Sequence, residues 1–181
     1  MIIAQQKRKE NIAEYILYMW QIEDIIRAHN FDLIQIEENI ISKFDLTDEE
    51  YNAMKDWYDN LIQHMINDGV AEKGHIKVLE NLVAELEELH IALLRSPYHS
   101  DYVKVYQEAL PYLSEYVQKV KDKNKSVVEL SLEFLYGILL LKLKKQKISP
   151  QTQEAFEKIR NFIAMLSQKF KQYETDEDFY K

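Results

Sequence analysis

The side chains best able to do chemistry in this chain are its five histidines, His29, His64, His75, His90 and His99, with the carboxylates around them. Helical bundles hold metal ions through Glu-x-x-His pairs, one on each of two helices, completed by two further carboxylates, because residues three apart project to the same side of a helix. One such pair, Glu87 and His90, falls inside a helical pattern. Glu72 and His75 share the spacing, but Gly74 between them reads as a loop. Glu87 and His90 are therefore the metal candidates, set against the plainer reading of a surface carboxylate beside a half-buried imidazole. No cofactor and no catalytic residue is expected. Most of the histidines lie near helix ends, where the negative end of the helix dipole favours an imidazolium. There is no Gly-x-Ser-x-Gly turn and no glycine-rich phosphate loop, so acyl transfer and ordinary nucleotide hydrolysis lack their usual machinery. The absence of cysteine removes thiol nucleophiles, disulfides and thiolate zinc sites.

Two groups of residues point to contact rather than catalysis. Tyr98, Tyr102 and Tyr106 stand four apart and line one face of a helix, either as packing rings with wet hydroxyls or as a groove for a partner. Lys7, Arg8 and Lys9 precede what reads as a helix start, where positive charge opposes the dipole, and this marks them as a contact element. The other lysines gather at Lys119 to Lys125 and Lys142 to Lys147, at opposite ends of one helix, so they make no continuous nucleic-acid track. With 31 acidic against 23 basic residues and a formal charge of −8, the surface repels phosphate backbones, and no nucleic-acid partner is expected.

The elements that must carry these residues are helices. Only 3 Gly and 3 Pro punctuate 181 residues, which favours few, long elements. Apolar residues recur at three-and-four spacing over Asn11 to Ala28, with Asn11 and Glu14 as a capping box or an earlier turn at Lys7 to Glu10, and over Asp32 to Phe44. Thr47-Asp48-Glu49-Glu50 opens a third helix that runs to about Asp68 and stops at Gly69. A fourth spans Ile76 to Leu94, and a fifth spans about Asp101 to Lys123 with a kink expected from Pro111. Ser126 caps a sixth, apolar almost all round to Leu143, and Ser149-Pro150 opens the last. These patterns predict an all-α fold, a single-domain antiparallel helical bundle of about six to seven helices over residues 1–174, with an acidic tail at 175–181. Glu174, Asp176, Glu177 and Asp178 of that tail are expected near the basic turn at Lys119 to Lys125. Trp20 is expected to be buried on a wide apolar face.

The segment Gln6-Lys7-Arg8-Lys9-Glu10-Asn11-Ile12-Ala13-Glu14-Tyr15-Ile16-Leu17-Tyr18-Met19-Trp20-Gln21-Ile22-Glu23-Asp24 resembles a family of helical proteins of gut anaerobes classed as a domain of unknown function. The likeness extends over the whole chain and includes Asp56-Trp57-Tyr58 and Gly74-His75. It implies a compact bacterial protein and carries no catalytic residues. The functional expectation is a non-enzymatic interaction or scaffold protein acting as a homodimer, or with another protein partner, closed through the sixth helix. The alternative is a small-molecule or metal-binding bundle, with enzymatic activity open to it, using Tyr, Glu and His side chains around a pocket. No apolar run follows the basic residues near the N-terminus, and the longest, Phe134 to Leu141, is far short of the ~20 residues of a membrane span. A cytoplasmic location and no membrane partner are expected.

Overall fold

The structure, a computed structural model, describes residues 2–175. Asp176, Glu177 and Asp178, and with them the expected meeting of the tail and the basic turn, lie outside the described residues. Among the described residues the fold is all-helical, with eight α-helices: α1 (Ile2–Glu10), α2 (Ile12–Ala28), α3 (Leu33–Asn39), α4 (Asp48–Asn67), α5 (Lys77–Arg95), α6 (Ser100–Lys119), α7 (Val127–Leu143) and α8 (Pro150–Thr175).

The count exceeds the expected six to seven because the residues before Asn11 form a helix of their own, α1. Lys7, Arg8 and Lys9 consequently occupy its last turn. The sequence reading placed them at a helix start, where the dipole opposes them; at a helix end it favours them, so that argument for a contact element falls. Asn11 still serves the following helix, since its Oδ1 accepts from Ala13 N at 3.0 Å. The helix expected over Asp32 to Phe44 is broken as well. It becomes α3 and a 3-10 turn at Ile41–Lys43. Asn39 Nδ2 and Ser42 Oγ donate to the carbonyls of Gln35 and Glu38, a local bonding that competes with the regular helix.

Local signals set the other starts. Thr47 and Glu50 form the expected capping box on α4, Ser126 Oγ accepts from Glu129 N at the head of α7, and Ser149 Oγ accepts from Thr152 N at the head of α8. Gly69 ends the α4 region at φ +73°, a left-handed conformation costly for residues with a Cβ. Helix α6 runs through the exposed Pro111 and stops at Lys119, four residues earlier than expected.

The described residues form two compact units, one of residues 2–9 with Glu14–Asn81 and one of Glu10–Ala13 with residues 82–175. In the first, α3 and the 3-10 turn pack on α4, and Ile16, Ile26, Ile36, Ile41 and Met65 are fully enclosed. In the second, α6, α7 and α8 pack on one another around Leu132, Ile159 and Phe162. Helix α7 buries Val128, Leu130, Leu132, Leu135 and Ile138, leaves Phe134, Tyr136, Leu139, Leu140 and Leu141 half-buried, and exposes Leu143.

Candidate functional site

The first unit holds a buried arrangement of polar side chains that joins parts of its sequence some 50 residues apart. Trp20, Glu23 and Arg27 lie three and four apart on α2, so they share a face. All three engage the loop between α4 and α5. The Trp20 ring stacks on His75, with centroids 4.2 Å apart and planes within 10°. Glu23 is wholly buried, and a carboxylate in that position must be paired or strongly hydrogen-bonded. Both its oxygens are used: His75 Nδ1–H donates to Oε2 at 2.5 Å, and Ile76 N–H donates to Oε1 at 2.9 Å. Arg27 Nη2 donates to the carbonyl of Val70 at 3.1 Å and to that of Gly74, and its Nη1 pairs with Asp24 at 3.0 Å. Gly74 adopts φ +86°, which turns the chain so that these groups converge. Asp68 closes the loop at its other side by accepting from Lys77 N at 2.8 Å, capping α5. Helix α5 starts at Lys77, one residue later than expected, and Glu23 satisfies the Ile76 amide just before it, which has no partner within the helix.

The clamped loop forms one wall of a groove. A cavity of about 460 Å³ is lined by Tyr15 and Met19 of α2, Trp57, Asn60 and His64 of α4, and Asp68 and Lys77 beside the loop. A second, of about 550 Å³, is lined by Ala4, Gln5, Arg8 and Lys9 of α1 with Tyr15, Met19 and Trp57 again. The two cavities therefore adjoin across one waist of aromatic and thioether groups. Each has the size of a site for a small organic molecule, and the mixture of an apolar waist with a few polar groups is typical of such sites. Burial pushes the Tyr15 hydroxyl above its ordinary value, against a smaller opposing pull from the Arg8 charge, so it offers the groove a neutral donor. The ends differ in their polar lining. Asp68 and Lys77 face each other at 3.9 Å at the loop end, and Gln5, Arg8 and Lys9 are among the residues that line the α1 end.

The residues singled out by spacing are distributed differently. Arg8 and Lys9 line the groove, and Lys7 pairs instead with Glu14 at 3.1 Å. Glu87 accepts from Val128 N at 2.9 Å and caps α7 from another helix. His90 is buried, and its Nδ1 takes a hydrogen bond of 2.6 Å from the Tyr102 hydroxyl while Tyr106 and Phe162 meet its ring edge to face. Burial holds the His90 imidazole below its usual range, opposed in part by the Glu87 charge, and burial raises Tyr102 far above its own. Glu87 and His90 are thus turned to different structural partners, and among the described residues no group of three His, Cys, Asp or Glu is placed to hold a metal ion. The expected tyrosine face is incomplete. Tyr98 precedes the start of α6 and is 71% exposed, whereas Tyr102 is enclosed and Tyr106 half-buried. Sequence reasoning missed Glu23 and Trp57 as site residues and had His64 only as one of five histidines near helix ends. For Glu23 a signal existed, because it continues the buried stripe of Ile12, Ile16 and Met19, where a carboxylate has no place without partners.

Among the described residues no helix is long and apolar enough to cross a membrane. A family model described as "Domain of unknown function (DUF4924)" matches residues 1–177. No curated protein and no solved structure matches the chain.

Proposed function

The chain belongs to that family, and we propose that it is a non-enzymatic binding protein that holds a small molecule with an aromatic or apolar body in the groove between α1, α2 and α4. The observation that carries this reading is the pair of adjoining cavities sharing Tyr15, Met19 and Trp57. The expected pocket of Tyr, Glu and His side chains is met only in part: Tyr15 and His64 line one cavity, with Asp68 beside them and no glutamate among the described lining residues, and this partial convergence supports the reading. The polar groups buried elsewhere serve the fold: Glu23 secures a loop, Glu87 caps a helix and His90 satisfies Tyr102. The test is a thermal-shift screen of aromatic small molecules against the wild-type protein and Trp57→Ala. Compounds that raise the wild-type Tm and lose that effect in the variant support the reading. A screen in which the stabilising compounds act equally on both proteins refutes it.

A second reading, a scaffold acting as a homodimer, draws on one observation: α7 leaves Tyr136, Leu139 and Leu140 half-buried and Leu143 63% exposed. A symmetric pair is the commonest way to close such a strip. Sedimentation equilibrium at micromolar concentration separates a dimer from a monomer of 21.7 kDa. In either case the arrangement we favour is one antiparallel bundle in the cytoplasm of a gut bacterium. Three features support it: α2 and α5 contribute residues to both compact units, the chain lacks cysteine, and the resemblance at its N-terminal segment points to such organisms.

A further inference from the structure

We propose that two copies of this chain associate through α7 in antiparallel order about a two-fold axis, the Leu140 side chain of each copy filling the space that Gly137 leaves on the other. The inference rests on the homodimer reading and gives it a direction and a register. Gly137 lies in the middle of α7, where glycine weakens a helix because its backbone has more freedom to lose than any other residue's. Nothing among the described residues requires it there. It is exposed, a Cβ built on it would meet no atom within 4 Å, and its backbone is ordinary right-handed helix, open to any side chain. What a missing side chain permits at such a place is the close approach of a further surface.

The residues around Gly137 identify that surface as a second copy. Glu133, Gly137, Leu140 and Lys144 are spaced four, three and four apart, so they form one stripe along α7 and its C-cap. Gly137 and Lys144 are exposed, and Glu133 and Leu140 are half-buried, with the half-buried Leu141 at the flank. The stripe is its own complement. It carries a gap at Gly137 and an apolar side chain at Leu140, an anion at Glu133 and a cation at Lys144, and both pairs are centred on the same point, between Ile138 and Leu139. An identical helix laid antiparallel across that point sets Leu140 against Gly137 and Lys144 against Glu133, each contact twice, as a two-fold axis demands. An in-register parallel copy would set Glu133 against Glu133 and Lys144 against Lys144, and like charges would oppose it. Glu133 already accepts from Lys125 through Oε1, so the charges set the direction while the Leu140 contact carries the association. A different protein would need a matching gap, side chain and pair of charges; a second copy already has them.

The experiment uses the full chain, whose lack of cysteine lets an introduced thiol report its own position alone. Glu133→Cys and Lys144→Cys are oxidised separately and as a mixture. A disulfide-linked dimer is expected only in the mixture, because like positions lie about 16 Å apart along an antiparallel pair with this register, beyond the reach of a disulfide. Cross-linking of either variant with itself, or none in the mixture, overturns the register. Sedimentation equilibrium at micromolar concentration then reads the contact. Gly137→Ala is expected to weaken dimerisation about tenfold by crowding the partner's Leu140, while raising the Tm of protein diluted to monomer, since alanine favours the helix. A Gly137→Ala protein that dimerises as tightly as the wild type overturns the contact and leaves the dimer standing. A wild-type protein that stays a monomer of 21.7 kDa across that range overturns the homodimer reading as well.

Discussion

Replacing Glu23 with alanine removes the acceptor of two hydrogen bonds in a place that water does not reach. The Ile76 amide, bonded at 2.9 Å, is left buried without its partner, and His75, bonded at 2.5 Å, loses the group that fixes its ring over Trp20. Hydrogen bonds to a charged group contribute roughly 1.5 to 3 kcal/mol each, so the loss of both costs about 3 to 5 kcal/mol. We therefore expect Glu23→Ala to lose about 3 to 5 kcal/mol in urea unfolding followed by circular dichroism. Glu23→Gln keeps the volume and one acceptor for Ile76, and should lose only about 1 to 2 kcal/mol. Amide exchange reads the same effect locally. The Ile76 amide should exchange roughly 100-fold faster in Glu23→Ala, the factor that corresponds to about 2.7 kcal/mol. A Glu23→Ala protein that loses less than about 1 kcal/mol and keeps the protection of Ile76 would refute the clamp.

Three further outcomes follow from the packing. Trp20 is enclosed, 2% exposed, and stacked on His75, so Trp20→Ala should cost about 3 to 5 kcal/mol in the same urea assay. Because burial lowers the folded-state value of His90 below its unfolded value near 6.5, the unfolded chain binds a proton that the folded chain refuses as pH falls from about 6.5 to that lower value. Stability should decline across that window by up to about 1.4 kcal/mol per pH unit, and the decline should be shallower in His90→Gln, in which His99, also lowered by burial, still contributes. Glu87→Ala removes the cap on the Val128 amide and should destabilise by about 1 to 2 kcal/mol, with exchange at the first turn of α7 accelerated most.

How far the residues announced their own structure depended on the range of the interaction. Thr47 with Glu50, Ser126 with Glu129 and Ser149 before Pro150 act within three residues, so the starts of α4, α7 and α8 could be read directly. Gly69 marked a helix end for the same reason. Helix α1 escaped because, of its residues 3–10, only Ala4 is buried and no periodic apolar pattern reveals it, and with it went the placement of Lys7, Arg8 and Lys9. The break after Asn39 depends on side chains bonding their own backbone, a choice made residue by residue. The groove was out of reach altogether: Tyr15 and Trp57 come together from separate helices, and His75 meets Glu23 across 52 positions. What could have been noticed was Glu23 itself, a carboxylate on the apolar stripe of α2.

The chain has 2 tryptophans, one enclosed and one lining the groove, and this makes the central claim directly observable. In a ¹⁵N-resolved spectrum their indole groups give two signals, and an aromatic compound that raises the wild-type Tm can be titrated against both. If the groove is the binding site, the Trp57 signal shifts progressively and saturates while that of Trp20 stays in place. A ligand that binds with the Trp57 signal unmoved would contradict the account.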